Sequence, residues 1–501
     1  MSDVLLAHSF FLRNDPKQVQ KMRPYAPLGT LYAASHLRER GWSVALFDAT
    51  LSEGEHEFEE ALERHRPRFV VLFEDSFNFL TKMCLTHARE AACRMSARSR
   101  AAGATVIASS SDISDHPGLY FEHGVQYALL GEADWTLVEL LDTLDGRRAG
   151  EAGEIAGLAF PDPESGGVRL TARRPPERHP DVFPIPAWDL VDAERYRAAW
   201  KGVHGYYSVN LVSTRGCPFH CNWCAKPIWG QQYAMRSPAN LAEEMALVKR
   251  LLNPDHIWFA DDIFGLRPQW LPELAREIEA RDARIPFMIQ SRVDLMTDTA
   301  VDGLARAGCA EVWLGAESGS QKILDAMDKG TRLEKIHEAR QRLKAAGIKA
   351  CFFLQFGYPG ETFEDILSTV RMVRETLPDD VGISVSYPLP GTRFFDMVRE
   401  ELGGKANWQD SSDLAMMFQG TYQTPFYRKL HQVVHHDLDL RKKMLGSSPG
   451  GDPALLEELD RLNADWLELG RLEVEHRSPE PTVLHKSYAE PEAPDLSKDW
   501  N

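Results

Sequence analysis

Twice along this chain, short apolar runs alternate with amphipathic stretches, and that rhythm limits the fold to layered α/β architectures. In the first block, Val4–Ala7, Val44–Phe47, Phe69–Phe73, Thr105–Ala108 and Tyr127–Leu130 predict strands, while Leu28–Arg40, His56–His65, Leu80–Ala101 and Ala133–Leu144 predict helices. Five such βα repeats imply a doubly wound, Rossmann-like parallel sheet over residues 1–148. Its ligands belong at the strands' carboxyl ends, in the loops His8–Pro27, Asp48–Ser52, Glu74–Asn78, Ser109–Gly118 and Gly131–Asp134. No G-x-G-x-x-G follows the first strand, so the phosphate cradle of a nicotinamide or flavin site is missing.

Residues 149–204 turn to Pro, Gly and charge, the composition of a β-hairpin and an extended connector, with a boundary near Tyr196–His204. The rhythm then resumes. Ser208–Ser213, His256–Ala260, Pro286–Gln290, Glu311–Gly315, Lys349–Gln355 and Val381–Ser386 predict strands separated by helices. This block, 205–397, describes a partial (β/α)6 TIM-like barrel, whose chemistry sits at the carboxyl ends of its strands. Residues 398–475 read as a C-terminal helical extension, and the Pro/Glu/Ser-rich stretch 476–501 as a disordered tail.

The 501 residues are 43% hydrophobic and 26% charged, enough apolar material for two or three cores. A net charge of −17 with no local basic patch argues against nucleic acid and anionic lipid as partners. The acidic start MSDVLLAHSFFLRND lacks the shape of a secretory signal, and no apolar run spans a bilayer, so the expectation is a cytoplasmic protein without a membrane span.

Seven cysteines without a signal do not make a disulfide framework. Cys84, Cys93, Cys309 and Cys351 stand alone and read as buried, inert thiols. Cys217, Cys221 and Cys224 form C-x3-C-x2-C directly after a predicted strand. Such a loop wraps three thiolates around three irons of a 4Fe-4S cubane and leaves the fourth iron without a protein ligand. The alternative is zinc with His220 as fourth ligand, but a neighbour of Cys221 points away from the same centre in a compact loop, and no second C-x-x-C or H-x-x-H follows.

With Trp223 before its last cysteine, the motif resembles the signature of the radical S-adenosylmethionine superfamily. The resemblance implies that the methionine amine and carboxylate of S-adenosylmethionine chelate the open iron. An electron from the cluster then splits the sulfonium to a 5′-deoxyadenosyl radical, the electron coming from an external donor of flavodoxin or ferredoxin type. It assigns S-adenosylmethionine to Trp223, to Asp261 after the second barrel strand, to Ser291 and Arg292 after the third, to Glu317 after the fourth, and to Gln355 and Gly357 after the fifth. Each has a plainer reading as well: Asp262 and Ser318 suit helix caps, and Pro359-Gly360-Glu361-Thr362 suits a turn into a helix.

A doubly wound domain ahead of such a barrel resembles the cobalamin-binding subgroup of the superfamily, over roughly residues 1–400. The carrying residues are Leu28, Gly29 and Thr30 at the first helix, Asp48 after the second strand, and Gly131 and Glu132 after the fifth. Glu74, Ser76 and Ser109 face the same region. Two departures stand out: the D-x-H-x-x-G loop that gives cobalt a histidine is absent, and Ser109-Ser110-Ser111-Asp112 replaces the usual Gly-Gly, leaving an empty scaffold domain as the alternative.

The resemblance implies a cobalamin-dependent radical methyltransferase acting on an unactivated carbon of a small-molecule substrate. A radical cyclase, like the anaerobic magnesium-protoporphyrin ester cyclases, uses the same parts. From a different class, a cobalamin- or cluster-binding sensor predicts no turnover. Trp408-Gln409-Asp410 and Met416–Tyr422 are candidates to fold back over the barrel mouth, with ordinary core as the other reading of Met416–Phe418.

Overall fold

The structure, a computed structural model, describes residues 2–78, 86–162, 164–226, 228–402, 414–446 and 452–479. Cys84, Trp408-Gln409-Asp410, the start of the helix expected from Leu80 and the tail from 480 onward lie outside the described residues.

The first sheet contains β1 (Val4–Ala7), β2 (Val44–Phe47), β3 (Phe69–Phe73), β4 (Thr105–Ser109), β5 (Tyr127–Leu129), β6 (Leu158–Pro161) and β7 (Val168–Leu170). Their order is β2-β1-β3-β4-β5-β6-β7. The first five pair in parallel, Val4 opposite both Val44 and Phe69, so the chain reverses its winding beside β1. Every residue of β1 and β3 is buried, as strands covered by helices on both faces must be. The hairpin β6–β7 continues the sheet antiparallel, ending in an edge whose three residues are all exposed.

The second sheet is all parallel: β8 (Ser208–Leu211), β11 (His256–Phe259), β12 (Phe287–Ser291), β13 (Cys309–Glu317), β14 (Lys349–Phe356) and β15 (Asp380–Val385) lie in that spatial order. A two-stranded ribbon, β9 (Thr214–Arg215) with β10 (Ala234–Met235), closes the loop after β8. With its helices this is the expected partial barrel. Helices Thr424–Leu445 and Pro453–Glu475 follow, tied to it through Asp437, which accepts from Arg374 and from Trp466 Nε1 (3.2 Å). No helix among the described residues is long and apolar enough to cross a membrane.

The stretch expected to be an extended connector holds a helix, Ala193–His204. Asp192 caps its start and Gly205, at φ 76°, ends it, so the expected boundary falls inside a formed element. Its side chains turn toward the first sheet: Trp200 Nε1 donates to Pro24 O (2.6 Å) and Tyr196 Oη to Asp48 Oδ2 (2.7 Å). One hydrophobic core runs through Leu28, Leu31 and Phe77 of the first block, Trp188 and Trp200 of the connector, and Leu211, Phe259 and Ile289 of the barrel. The two sheets therefore share buried surface, which fixes one against the other.

Asp48 also takes His8 Nε2 (3.0 Å) and Thr50 N (3.0 Å). Burial pushes its carboxyl up, but His8, Tyr196 and Thr50 outweigh that and hold it below the usual range. Tyr196→Phe removes one of these donors and is expected to cost about 1–2 kcal/mol in denaturant unfolding.

Candidate functional site

The cysteine loop leaves β8 under control of Asp261, the residue two places past the end of β11. Its buried carboxylate accepts Ser213 N (2.9 Å), Ser213 Oγ (3.1 Å), Thr214 N and Thr214 Oγ1. Burial pushes Asp261 to about 7, while those four donors pull the other way. Gly216 follows at φ 78°, where a Cβ would stand 2.2 Å from Gln232 O, so no other residue fits before Cys217. Asn222 anchors the middle of the loop: its N and Nδ2 donate to Met327 O (3.1 Å) and Ala326 O (2.8 Å), and its Oδ1 accepts Tyr358 Oη (2.9 Å).

Arg292, at the end of β12, reaches across this loop. Nη2 donates to Lys329 O (2.6 Å) and Thr331 Oγ1 (3.1 Å), Nε to Asp294 (3.1 Å), and Nη1 lies 3.8 Å from Cys221 Sγ. The guanidinium stacks 3.9 Å over the ring of Phe219. Beside it the ammonium of Lys329 pairs with Glu317 (2.7 Å) and sits 5.9 Å from the centre of the Trp223 ring. Two buried cations thus flank the cysteines.

Burial pushes the Cys217 and Cys224 thiols up, Cys224 to about 12, with Asp262 and the neighbouring cysteines adding to it. Nearby positive charge therefore favours Cys217 and Cys224 as thiolates. Among the described residues no three His, Cys, Asp or Glu side chains close on one point as ligands of a single ion do. His220, considered as a fourth ligand for zinc, is exposed.

The residues expected around the nucleoside divide. Glu317, at φ 59° in the left-handed region, ends β13 facing Lys329. Trp223 keeps its buried indole N–H without a partner, a donor left over for a ligand. Arg292 lies at the cysteine loop. Three others have partners within the chain: Asp261 orders the loop, Ser291 Oγ donates to Phe264 O (2.9 Å), and Gln355 Nε2 donates to Ser386 Oγ (2.9 Å). Gly357, at φ 75°, is covered: a Cβ there would meet Met416 and Tyr427 at 3.1 Å. Met416, Met417 and Phe418 pack with Tyr358, Phe394 and Trp223, so this segment does lie against the strand ends, as a packed apolar cluster. Thr362 caps the helix Phe363–Thr376, as the plainer reading expected, whereas Ser318 Oγ accepts Ser320 N (3.1 Å) in a turn and the helix that follows has Ser320 at its N-cap. Lys329 was not found from sequence; nothing in Lys329-Gly330 announces a partner at Glu317.

In the first domain the expected cofactor residues divide likewise. A cleft over β3 and β4 is lined by Ser9, Glu74, Ser109, Ser110, Arg89 and Asp112, among others. Glu74 Oε1 accepts Ser9 N (2.8 Å), while Oε2 is buried without a partner. Leu28 is core. Gly29 packs on Asp75 and Ser76, with room for a Cβ only at 3.2 Å from either backbone. Thr30 Oγ1 donates to Phe73 O (2.6 Å), and Asp48 is occupied as described. Gly131, at φ 68°, makes the turn before Glu132. Glu132 is turned elsewhere: its oxygens take Arg215 Nη1 (2.6 Å), Trp229 Nε1 (3.0 Å) and Glu177 N (2.6 Å).

Residues 211–373 match the profile of the radical SAM superfamily. Among curated proteins the chain is similar to an uncharacterized methyltransferase of Pyrococcus horikoshii, 29% identical over 281 residues that cover 56% of this chain and 59% of that protein. It is also similar to the anaerobic magnesium-protoporphyrin IX monomethyl ester cyclase of Rubrivivax gelatinosus, 28% identical over 278 residues, 55% of this chain and 48% of that one. The match spans about half the length of these relatives. Among solved structures, the cobalamin-dependent S-adenosylmethionine radical enzyme OxsB superposes with a TM-score of 0.68 at 18% identity, covering 94% of this chain and 71% of that one. The radical S-adenosylmethionine methyltransferase TsrM of Kitasatospora setae, with cobalamin and a [4Fe-4S] cluster bound, gives 0.64 at 19%, covering 81% and 80%. At these identities the likeness is one of fold, and it extends over most of the chain.

One carboxyl beside the site supplies a pH signature. Glu361 accepts Gly357 N on Oε2 (2.6 Å), and its Oε1 is buried without a partner. Burial raises it from 4.5 to about 8. The folded chain thus holds a proton that the unfolded chain releases, so this stabilisation is complete below 4.5 and is lost as pH rises through about 8. Thermal melts of wild type are expected to fall across that window, and Glu361→Gln, neutral throughout, to flatten the fall.

Proposed function

Given that the chain carries a radical S-adenosylmethionine domain at residues 211–373, we propose that it is an enzyme that cleaves S-adenosylmethionine reductively at a 4Fe-4S cluster held by Cys217, Cys221 and Cys224. More narrowly, it is a cobalamin-dependent methyltransferase acting on an unactivated carbon of a small molecule. The carrying observation is the loop itself: three cysteines presented at the carboxyl end of β8, with Arg292 3.8 Å from Cys221 Sγ and a second buried cation, Lys329, beside them. A reduced cubane on three thiolates is anionic, and fixed cations stabilise it without reorganisation.

When bound, the cluster supplies the electron that breaks the sulfonium, and cobalamin supplies the methyl group. The protein's part is placement. Glu317 offers a carboxylate for the ammonium of the methionine moiety, with Lys329 ready for its carboxylate. Trp223 offers its unpaired N–H to the nucleoside. Met416, Met417 and Phe418 cover the strand ends and exclude water from a site where a primary radical must meet its target first. In the first domain, Glu74 Oε2 and the serines of β4's end face the cleft assigned to cobalamin. Its amide-rich rim suits such hydrogen-bonding groups. The electron comes from a flavodoxin- or ferredoxin-type donor, and a cysteine loop without a disulfide framework supports a cytoplasmic location.

The similarity to the anaerobic ester cyclase supports a second reading, ring closure on the same parts. Anaerobically reconstituted protein, with about 4 Fe per chain, is expected to release 5′-deoxyadenosine from methyl-labelled S-adenosylmethionine and to place the label in product. Unlabelled product with deoxyadenosine still formed favours cyclisation. Absence of deoxyadenosine, or a brown chromophore that survives Cys217→Ala, Cys221→Ala and Cys224→Ala together, overturns both.

A further inference from the structure

We propose that Glu132, on the first sheet, is a positioning residue for the cysteine loop of the second: it clasps both ends of that loop and holds the shape in which the three thiols are presented. The inference rests on the reading of Cys217, Cys221 and Cys224 as cluster ligands.

Arg215 stands two residues before Cys217, and Trp229 five after Cys224. Both donate to the same atom, Glu132 Oε1, at 2.6 and 3.0 Å. Everything between them is the cysteine loop. Asp134, two residues on from Glu132, takes Arg215 Nη1 at 2.9 Å, so the guanidinium is shared by two carboxylates of one turn. Arg215, Glu132 and Asp134 are 5%, 4% and 7% exposed.

Aromatic contacts hold the clasp shut. The guanidinium lies 3.8 Å over Phe183 of the connector. The Trp229 ring stacks on Phe77, from the loop after β3, with centroids 5.0 Å apart and an interplanar angle of 24°. Glu132 Oε2 is fixed in turn by Glu177 N at 2.6 Å, so the carboxylate cannot rotate away without stranding buried donors. The ribbon β9–β10 closes the loop farther out, at Thr214–Arg215 and Ala234–Met235, and the clasp adds a second closure nearer the cysteines, at Trp229. Joining the ends of a loop reduces the conformations open to its interior, and a cluster ligand set tolerates little spread in sulfur positions. Supports one shell out from a metal centre act this way.

The test uses the full chain, reconstituted anaerobically, as wild type, Glu132→Ala, Glu132→Gln and Asp142→Asn. Asp142 is a control carboxylate of the same domain that accepts Trp42 Nε1 far from the loop in sequence. Iron release to a chelator and the electron paramagnetic resonance spectrum of the reduced cluster, with and without S-adenosylmethionine, are measured. Glu132→Ala is expected to lose iron about tenfold faster and to change the spectrum. Glu132→Gln, which keeps an oxygen for Arg215 and Trp229 but turns its NH2 toward the Glu177 N–H, falls between Glu132→Ala and wild type, and Asp142→Asn behaves as wild type. If Glu132→Ala does not fold, Arg215→Lys serves, since one ammonium cannot span both carboxylates. Wild-type iron release and spectra in Glu132→Ala or Arg215→Lys overturn the proposal, as does equal damage from Asp142→Asn. A wild-type chain that takes up no cluster overturns the reading of the cysteines itself.

Discussion

A buried guanidinium, Arg215, shared between Glu132 and Asp134 sets the relation between the two sheets of this protein. A charge taken out of water is tolerated only when its partners are in place, and removing one partner costs far more than the pair gains in sum. Here the cation comes from the entry to the cysteine loop and the anions from the turn after β5. The two sheets therefore cannot slide without unpairing it. The shared apolar core from Leu28 to Phe259 gives adhesion, and the ion pairs give register, a division of labour that non-directional hydrophobic contact cannot supply alone.

The same logic continues inward. Asp261 spends its carboxylate on four donors from Ser213 and Thr214, Asn222 ties the loop's middle to the turn after β13, and Arg292 joins Cys221 to Lys329 and Thr331. Every end of the loop is therefore anchored on a different strand end. Among the buried polar atoms without a partner, Trp223 Nε1 lies by the cysteines and Glu74 Oε2 in the first-domain cleft.

Much of this was legible in the chain. Strand positions followed from apolar runs bounded by turn residues, and β1, β2 and β3 fall on the expected limits because a buried strand has no polar residue to blur its ends. The cysteine spacing named its own chemistry. The helix Ala193–His204 escaped because its Pro-rich approach masks a short amphipathic run that begins only after the Asp192 cap. Partners were the least legible. Asp261 and Glu132 look like ligand-facing acceptors in sequence, and only the fold shows their oxygens bonded by groups from 48 to 97 residues away, while Gln355 donates its amide nitrogen to Ser386, 31 residues on. The same distance hides Arg215, although a lone arginine at the mouth of a three-cysteine loop was a signal available to be read.

Mössbauer spectroscopy of iron-57-enriched protein tests the open iron most directly. On addition of S-adenosylmethionine, about one quarter of the iron signal is expected to move to the parameters of a higher-coordinate site while the remainder stays unchanged. Four irons that respond alike, or none that responds, would contradict a cubane held by three thiolates with one corner free for the sulfonium cofactor.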